Sequence, residues 1–362
     1  MAPSFPCEHC GASLHYDPHA SRLKCPYCGT ENDIPVATGA VIQEHDYRSA
    51  LDAARREQFE TEHLVVRCPS CAAETTLGAN VTATACAFCG SPLVRTTETR
   101  KWIKPEAVLP FRITQNDAEK VFREWLGTLW FAPNALKKQA RHEHGLKGVY
   151  LPAWTYDSNT VTQYQGRRGE YYYEEHWVTV PDGRGGTRQE RRQQQKIRWY
   201  PASGTVYNRF DDVLVMASTT LPREYTENLE PWDMPNLVPY QDDYLSGFQS
   251  ESYQVKLEDG FGEARLQMKP VIESTIHRDI GGDVQDILSA ETEYQNITFK
   301  HILLPIWMSG YRFQGKTYRF LVNGRSGEVQ GERPWSGFKI AFLVIVVLII
   351  VFLIFTLSQQ SS

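Results

Sequence analysis

The chain has 362 residues, of which 41% are hydrophobic, 22% charged and 12% aromatic. At ~150 residues per domain this length suggests two to three units, and the composition excludes a mostly disordered, collagen-like or polytopic membrane protein. The mean hydropathy of -0.43 makes any membrane segment local. The net charge of -5 and pI near 6.1 give no global attraction to nucleic acid, so contact with DNA, RNA or anionic lipid would need a local patch.

All eight cysteines fall into CxxC pairs: Cys7/Cys10, Cys25/Cys28, Cys68/Cys71 and Cys86/Cys89. Adding 61 to each of the first four positions gives each of the last four, so the chain begins with a tandem repeat. A CxxC knuckle turns the backbone so that two thiolates converge, and a second knuckle completes a tetrahedron around Zn²⁺. Zinc then holds together a unit too small to bury a core of its own. Pro26, Gly29 and Gly90 suit knuckle turns. The expectation is two structural zinc sites, one in each of two zinc ribbons at 1–36 and 65–100. Disulfides and a redox CxxC are the competing readings, and His9, His15 or His19 could replace a thiolate in the first site. Thiols that await zinc belong in a reducing compartment. The opening MAPSFPCEHC has no apolar stretch, so no secretory signal is expected there.

Residues 37–64 form a spacer whose stretch 46–63 reads as a short polar helix, solvated rather than core-forming. From about residue 105 the texture turns to Tyr, Trp, Val and Thr, the signature of an α+β body with an antiparallel sheet over 101–332. Two units are discernible, at 105–200 and 235–332. One opens with VLPF (108–111) and returns at YLPAW (150–154); the other opens with LVPY (237–240) and returns at LLPIW (303–307). In the first, Thr114 and Asp117 resemble a capping box, and Val121, Phe122, Trp125, Leu126 and Leu129 give one apolar helical face. In the second, Leu257, Phe261, Leu266, Val271, Ile272 and Ile276 are helix-compatible, with a kink or break expected at Pro270. A diverged duplication is the preferred reading; the alternative is that LPxW recurs wherever an apolar strand enters a core.

Between the units YYYEEHWVTV (171–180), the turn PDGRGG (181–186) and TRQERRQQQKIRWY (187–200) form a hairpin. Arg184, Arg188, Arg191, Arg192, Lys196 and Arg198 make it locally basic, with Arg167 and Arg168 just before. Such a ribbon could touch phosphates or anionic headgroups; the alternative is a solvated edge protected by charge.

Gly310 to Thr317 matches GxxxxGK[ST], but YRFLVNGRSGEV follows it and alternates like a strand. A phosphate-binding loop needs a helix there, so Lys316 is not expected to bind nucleotide. His142-Glu143-His144 lacks HExxH spacing, and Glu174-Glu175-His176 alternates across a strand. No GxSxG occurs. No catalytic residue and no enzymatic activity are expected.

Ile340 to Leu357 is uniformly apolar apart from Thr356. Its 18 residues span about 27 Å as a helix, against a hydrocarbon core of about 30 Å, so Gly337 and Phe338 are expected to help. A transmembrane helix over 337–357 follows, rather than a buried soluble one. Arg333 and Lys339 flank its start, with Trp335 at headgroup depth, so the positive-inside rule keeps the N-terminal bulk cytoplasmic.

CPYCG (25–29), the second ribbon, LPxW at 151–154 and 304–307, YRFLVNGRSGEVQGERP (318–334) and the final helix resemble a bacterial family of tail-anchored double zinc-ribbon membrane proteins. Members are often labelled transcription-factor-IIB-type zinc ribbon proteins, or primosomal protein N′, a superfamily II helicase. This chain lacks the paired RecA-like cores of a helicase. The resemblance implies association with membrane-scaffold proteins of the prohibitin/flotillin-like and phage-shock type. The expected function is a non-enzymatic, tail-anchored adaptor at the bacterial inner membrane that recruits a protein partner. Tyr27 and Phe88 are its candidate contacts on the knuckle loops. The alternative is a membrane-tethered, replication-associated nucleic-acid-binding protein.

Overall fold

The computed structural model describes residues 5–34, 41–55, 61–76, 83–94, 98–131, 133, 145–181, 186–313, 316–332 and 336–360. Four strands dominate: β1 (Lys147–Pro181), β2 (Thr187–Met216), β3 (Val284–Phe313) and β4 (Lys316–Asn323). β1 lies between β2 and β3 and is antiparallel to both, and β4 pairs with β3 beyond β1. Thirty-five residues of β1 extend about 110 Å at about 3.3 Å per residue. Period-2 patterning carries it, and two irregularities adjust its twist near Asp157. There Asp212 and Asn296 take positive φ angles of 51° and 49°, which Asp and Asn tolerate better than most residues. The Asp157 carboxylate accepts the Asp212 N–H at 2.7 Å.

The sheet is mixed, which corrects the antiparallel expectation. Ala107–Val108 runs parallel to β3 at Ile302–Leu303, and Gln249–Glu251 runs parallel to β1 at Val149–Tyr150. These short segments join the sheet through long connections, and such crossovers are what permit parallel pairing. The order short strand, helix, long strand, antiparallel return occurs twice. The two short strands pair with each other (Ala107↔Pro239), and Leu151 of one LPxW lies opposite Leu304 of the other.

The helices are α1 (Tyr47–Arg55), α2 (Gln115–Thr128), α3 (Leu257–Ile280) and α4 (Gly337–Gln360). Thr114 and Asp117 form the expected capping box of α2, whose Ala118, Phe122 and Leu126 are buried. α3 runs through Pro270 without ending. Pro270 faces solvent, where water can satisfy the carbonyl that loses its partner. Leu266 and Val271 are also exposed; the buried stripe is Leu257, Phe261, Ala264, Met268, Ile272, Ile276 and Ile280. Gly260 lets α3 approach the sheet, since a Cβ there would sit 2.4 Å from the Tyr156 hydroxyl.

The spacer is not simply solvated. Tyr47 and Ala50 of α1 are buried, with the Tyr47 ring 4.8 Å from Phe261. A polar helix needs few apolar residues when these few meet an aromatic core. Residues 61–67 then form a strand paired with Glu98–Trp102.

Side-chain alternation splits the central core in two. Tyr150, Leu303, Trp307 and Phe320 join one cluster; Val149, Leu151, Ile302, Leu304 and Leu321 join another. The first cysteine unit packs into the former cluster and the second unit into the latter. The two units therefore clasp opposite faces of one sheet.

Candidate metal centres and the C-terminal helix

Each cysteine unit is built on one turn used twice. In all four knuckles the first cysteine accepts from the N–H four residues on and donates to the carbonyl five residues on: Gly11 and Ala12, Gly29 and Thr30, Ala72 and Ala73, Gly90 and Ser91. The fourth residue after each first cysteine takes a positive φ, from 61° to 77°. Three of these residues are glycine and one is Ala72.

These turns gather Cys7, Cys10, Cys25 and Cys28 in one group, and Cys68, Cys71, Cys86 and Cys89 in another, each able to hold a metal ion. The Sγ atoms of Cys7 and Cys28 are 3.5 Å apart, as are those of Cys10 and Cys25. In the second group the corresponding separations are 3.6 and 3.7 Å. Four sulfurs about 2.3 Å from a tetrahedral ion would lie about 3.8 Å apart. The thiols thus stand close to the edges of such a tetrahedron.

The surroundings favour thiolate at some of the cysteines and oppose it at others: burial pushes the Cys71 and Cys86 thiols up, and the Cys10 thiol is also raised. The Thr30 hydroxyl and then the Thr30 N–H lower the Cys28 thiol to about 6. At Cys89, burial opposes ionisation, yet the Ser91 hydroxyl and N–H bring the thiol down to about 7. Metal binding requires deprotonated sulfur, so these donors assist it. The two metal groups consist of cysteines alone, without His9, His15 or His19.

The units differ in exposure. Tyr27, on the first unit's second knuckle, is 83% exposed and remains a candidate contact. Phe88, named beside it from sequence, is fully buried. It packs among the residues around Leu109, Val149 and Leu151 and cannot meet a partner. The first unit is fastened by the Tyr16 hydroxyl, which donates to the Phe111 carbonyl at 3.3 Å. The second is joined through its strand Glu74–Thr76, paired with Gln249–Glu251, and through Lys147 Nζ, which donates to the Ala85 carbonyl at 2.9 Å.

Of the motif spanning Gly310 to Thr317, Gln314 and Gly315 lie outside the described residues. The remainder occupies the facing ends of β3 and β4, with Phe313 paired to Lys316. A strand follows the match where a helix would be needed. His142-Glu143-His144 lies outside the described residues, as do Arg184, Arg333 and Trp335.

The basic hairpin is less cationic than its arginine count suggests. Arg191 pairs with Glu175, Lys196 with Glu174, and both Arg188 and Arg192 with Glu190. Arg198 lies over the Tyr172 ring at 4.8 Å. Counting residues 170–181 and 187–198, five cations face four carboxylates, a net of +1.

Two buried groups escaped sequence reading, because their partners are distant in the chain. Lys300 is held by Glu44 at 3.0 Å and Asp212 at 2.6 Å. Beside them burial, with Glu44 as neighbour, raises the Asp157 carboxyl to about 6. Glu251 lies beneath the second cysteine unit, wholly buried, and burial raises it to about 7. A cleft of about 630 Å³ between α3 and residues 214–232 has an apolar floor and an acidic rim, where Arg223 is engaged by Glu227 and Glu263.

Gly337–Ile354 of α4 is apolar enough to cross a membrane, and none of it is buried. The Ser336 hydroxyl accepts the Lys339 N–H, as a capping residue would.

No family model matches the chain, and no solved structure matches it. It is similar to a protein named "Uncharacterized protein YdjG" of Bacillus subtilis (strain 168), with 26% identity over 345 residues that cover 94% of this chain and 93% of the relative.

Proposed function

We propose that this chain is a non-enzymatic, membrane-anchored zinc-ribbon adaptor. Its bulk faces the cytoplasm at a bacterial inner membrane and recruits a protein partner of the membrane-scaffold kind. Both tetrads are closed four-thiol sets with no position left for substrate, which is the pattern of structural zinc. They hold the body together, and the first unit's exposed knuckles carry Glu8, His9, Pro26 and Tyr27 to the surface.

The observation that carries the reading is the coupling of the two thiol tetrads to one body that ends in an exposed apolar helix. Lys339 in the first turn of that helix favours a cytoplasmic body. The nucleic-acid reading loses its main support because carboxylates offset the arm's cations.

The test is capture of the full chain from detergent-solubilised membranes, with and without nuclease. A protein recovered in equal amount from both samples supports the adaptor reading. Loss of all partners on nuclease treatment sinks it.

A further inference from the structure

β1 loses its β3 neighbour after Gly169, which pairs with Val284. Beyond that point β1 and β2 continue as two strands alone, from Tyr171↔Ile197 to Pro181↔Thr187. This arm is about 40 Å long. Its two faces differ in kind. Tyr171, Tyr173 and Trp177 share a face with Ile197, Gln195 and Arg191, to which they are directly opposed. Seven of the nine charged residues in 170–181 and 187–198 lie on the other face. On the aromatic face the only charges are Glu175 and Arg191, which neutralise each other at 2.9 Å. Trp177 is 64% exposed and Tyr173 62%.

We propose that the aromatic face of this arm is a self-association surface, packed face to face against the same face of a second copy of the chain. The proposal rests on the membrane-anchored reading, and four observations carry it. A two-stranded ribbon in water is at best marginally stable, so this face calls for a cover. Its neutrality lets it meet itself without like-charge repulsion, and a two-fold axis can bring Glu175 of one copy near Arg191 of the other. The opposite face cannot do so without confronting its own arginines. Height selects the partner: the arm's tip lies about 110 Å along β1 from the end of the sheet near α4, and a second copy in the same membrane carries its arm at the same level. The contact area, about 400 Å² per copy from strand length and spacing, is below that of a stable soluble dimer. Confinement to one membrane supplies the missing concentration.

The test uses the full chain in vesicles, after alkaline extraction has shown that it stays with the membrane. Tyr173→Cys and Glu174→Cys place a thiol on the aromatic and the charged face respectively, and a short bis-maleimide reports contact between copies, with the unaltered chain as baseline. Cross-linking is expected to be about tenfold greater for Tyr173→Cys, and to fall toward baseline when Trp177→Arg is added, because that change opposes like charges across the two-fold axis. The same zinc content in every variant excludes misfolding as the cause. Equal or absent cross-linking at both positions, in protein still retained by the membrane, overturns the proposal. So does an environment-sensitive label at position 173 that is quenched by brominated lipid, which makes the bilayer the occupant. Salt-sensitive DNA binding abolished by Trp177→Arg likewise overturns it. Release of the chain by alkaline extraction would instead refute the membrane reading.

Discussion

At Ala72 a single methyl group sits where the other three knuckles use glycine. Its φ of 61° is left-handed, a conformation that costs an L-residue about 1–2 kcal/mol and glycine little. Part of that gain returns as glycine's unfolded-state entropy. Ala72→Gly is therefore expected to stabilise the second cysteine unit by about 0.5–1 kcal/mol. Titration with a chelator should show a later loss of the second metal; earlier loss would mean that the methyl group contributes packing. Glu251 is the other residue under tension. One carboxylate oxygen accepts from Gln254 at 3.2 Å and from the Thr220 hydroxyl. Burial raises its folded-state value to about 7, with the Thr220 and Ser218 hydroxyls opposing. An acid raised on folding is most favourable when protonated, so its contribution is present below its unfolded value and is lost as pH climbs through about 7. The full penalty above that is about 3 kcal/mol. Glu251→Gln keeps the shape and removes the ionisation. The melting temperature of the variant, relative to the parent chain, is expected to rise markedly at pH 8 and little at pH 5. An equal shift at both values would show that the carboxyl does not titrate there.

The elements separate what spacing reveals from what packing decides. The tetrads were legible because metal ligation imposes a local rhythm, and α2 was legible because its capping box and apolar stripe are local too. The clasp was not, since Tyr16 reaches Phe111 and Phe88 reaches Val149 only after the chain has crossed a long stretch of sequence. Pro270 misled for the reverse reason: a local breaker sits on the solvent side of α3, where its cost is smallest. The same distinction sets different outcomes for the two centres. Cys10 is exposed on its knuckle, whereas Cys86 is buried in the cluster that contains Leu109 and Leu151. Metal analysis of the full chain is expected to give about two zinc ions, falling to about one in either Cys10→Ser or Cys86→Ser. Only Cys86→Ser should also lower the main unfolding transition by several degrees, because it leaves a polar group in the body's core. A metal content near zero in the parent chain, purified without chelator, would remove the zinc assignment.

At the scale of the whole molecule, the described residues on either side of 333–335 are fastened to the body. The Glu332 N–H donates to the Arg319 carbonyl at 3.0 Å, and the Ser336 N–H to the Phe131 carbonyl at 2.8 Å. Lys339 Nζ, two residues into α4, donates to the Trp130 carbonyl at 2.9 Å. The start of the apolar helix is thus bound to the chain just past the end of α2, and α2 in turn packs Phe122 against Phe320 of β4 at 4.6 Å. If α4 spans the bilayer, its first turn lies at the headgroups, and Trp130, 73% exposed, is brought to the depth that tryptophan prefers. The body would then sit on the membrane through a short foot, with the arm at the opposite end of the sheet. A fluorophore placed at Trp130→Cys in the vesicle-bound chain is expected to be quenched by lipids brominated near the headgroup. One placed at Tyr207→Cys, exposed midway along β2, should be unaffected. Equal quenching would mean that the sheet lies flat on the bilayer. No quenching at Trp130→Cys in protein that resists alkaline extraction would mean that the foot lifts off, and that the bonds from Phe131 and Trp130 to the head of α4 do not survive in the membrane.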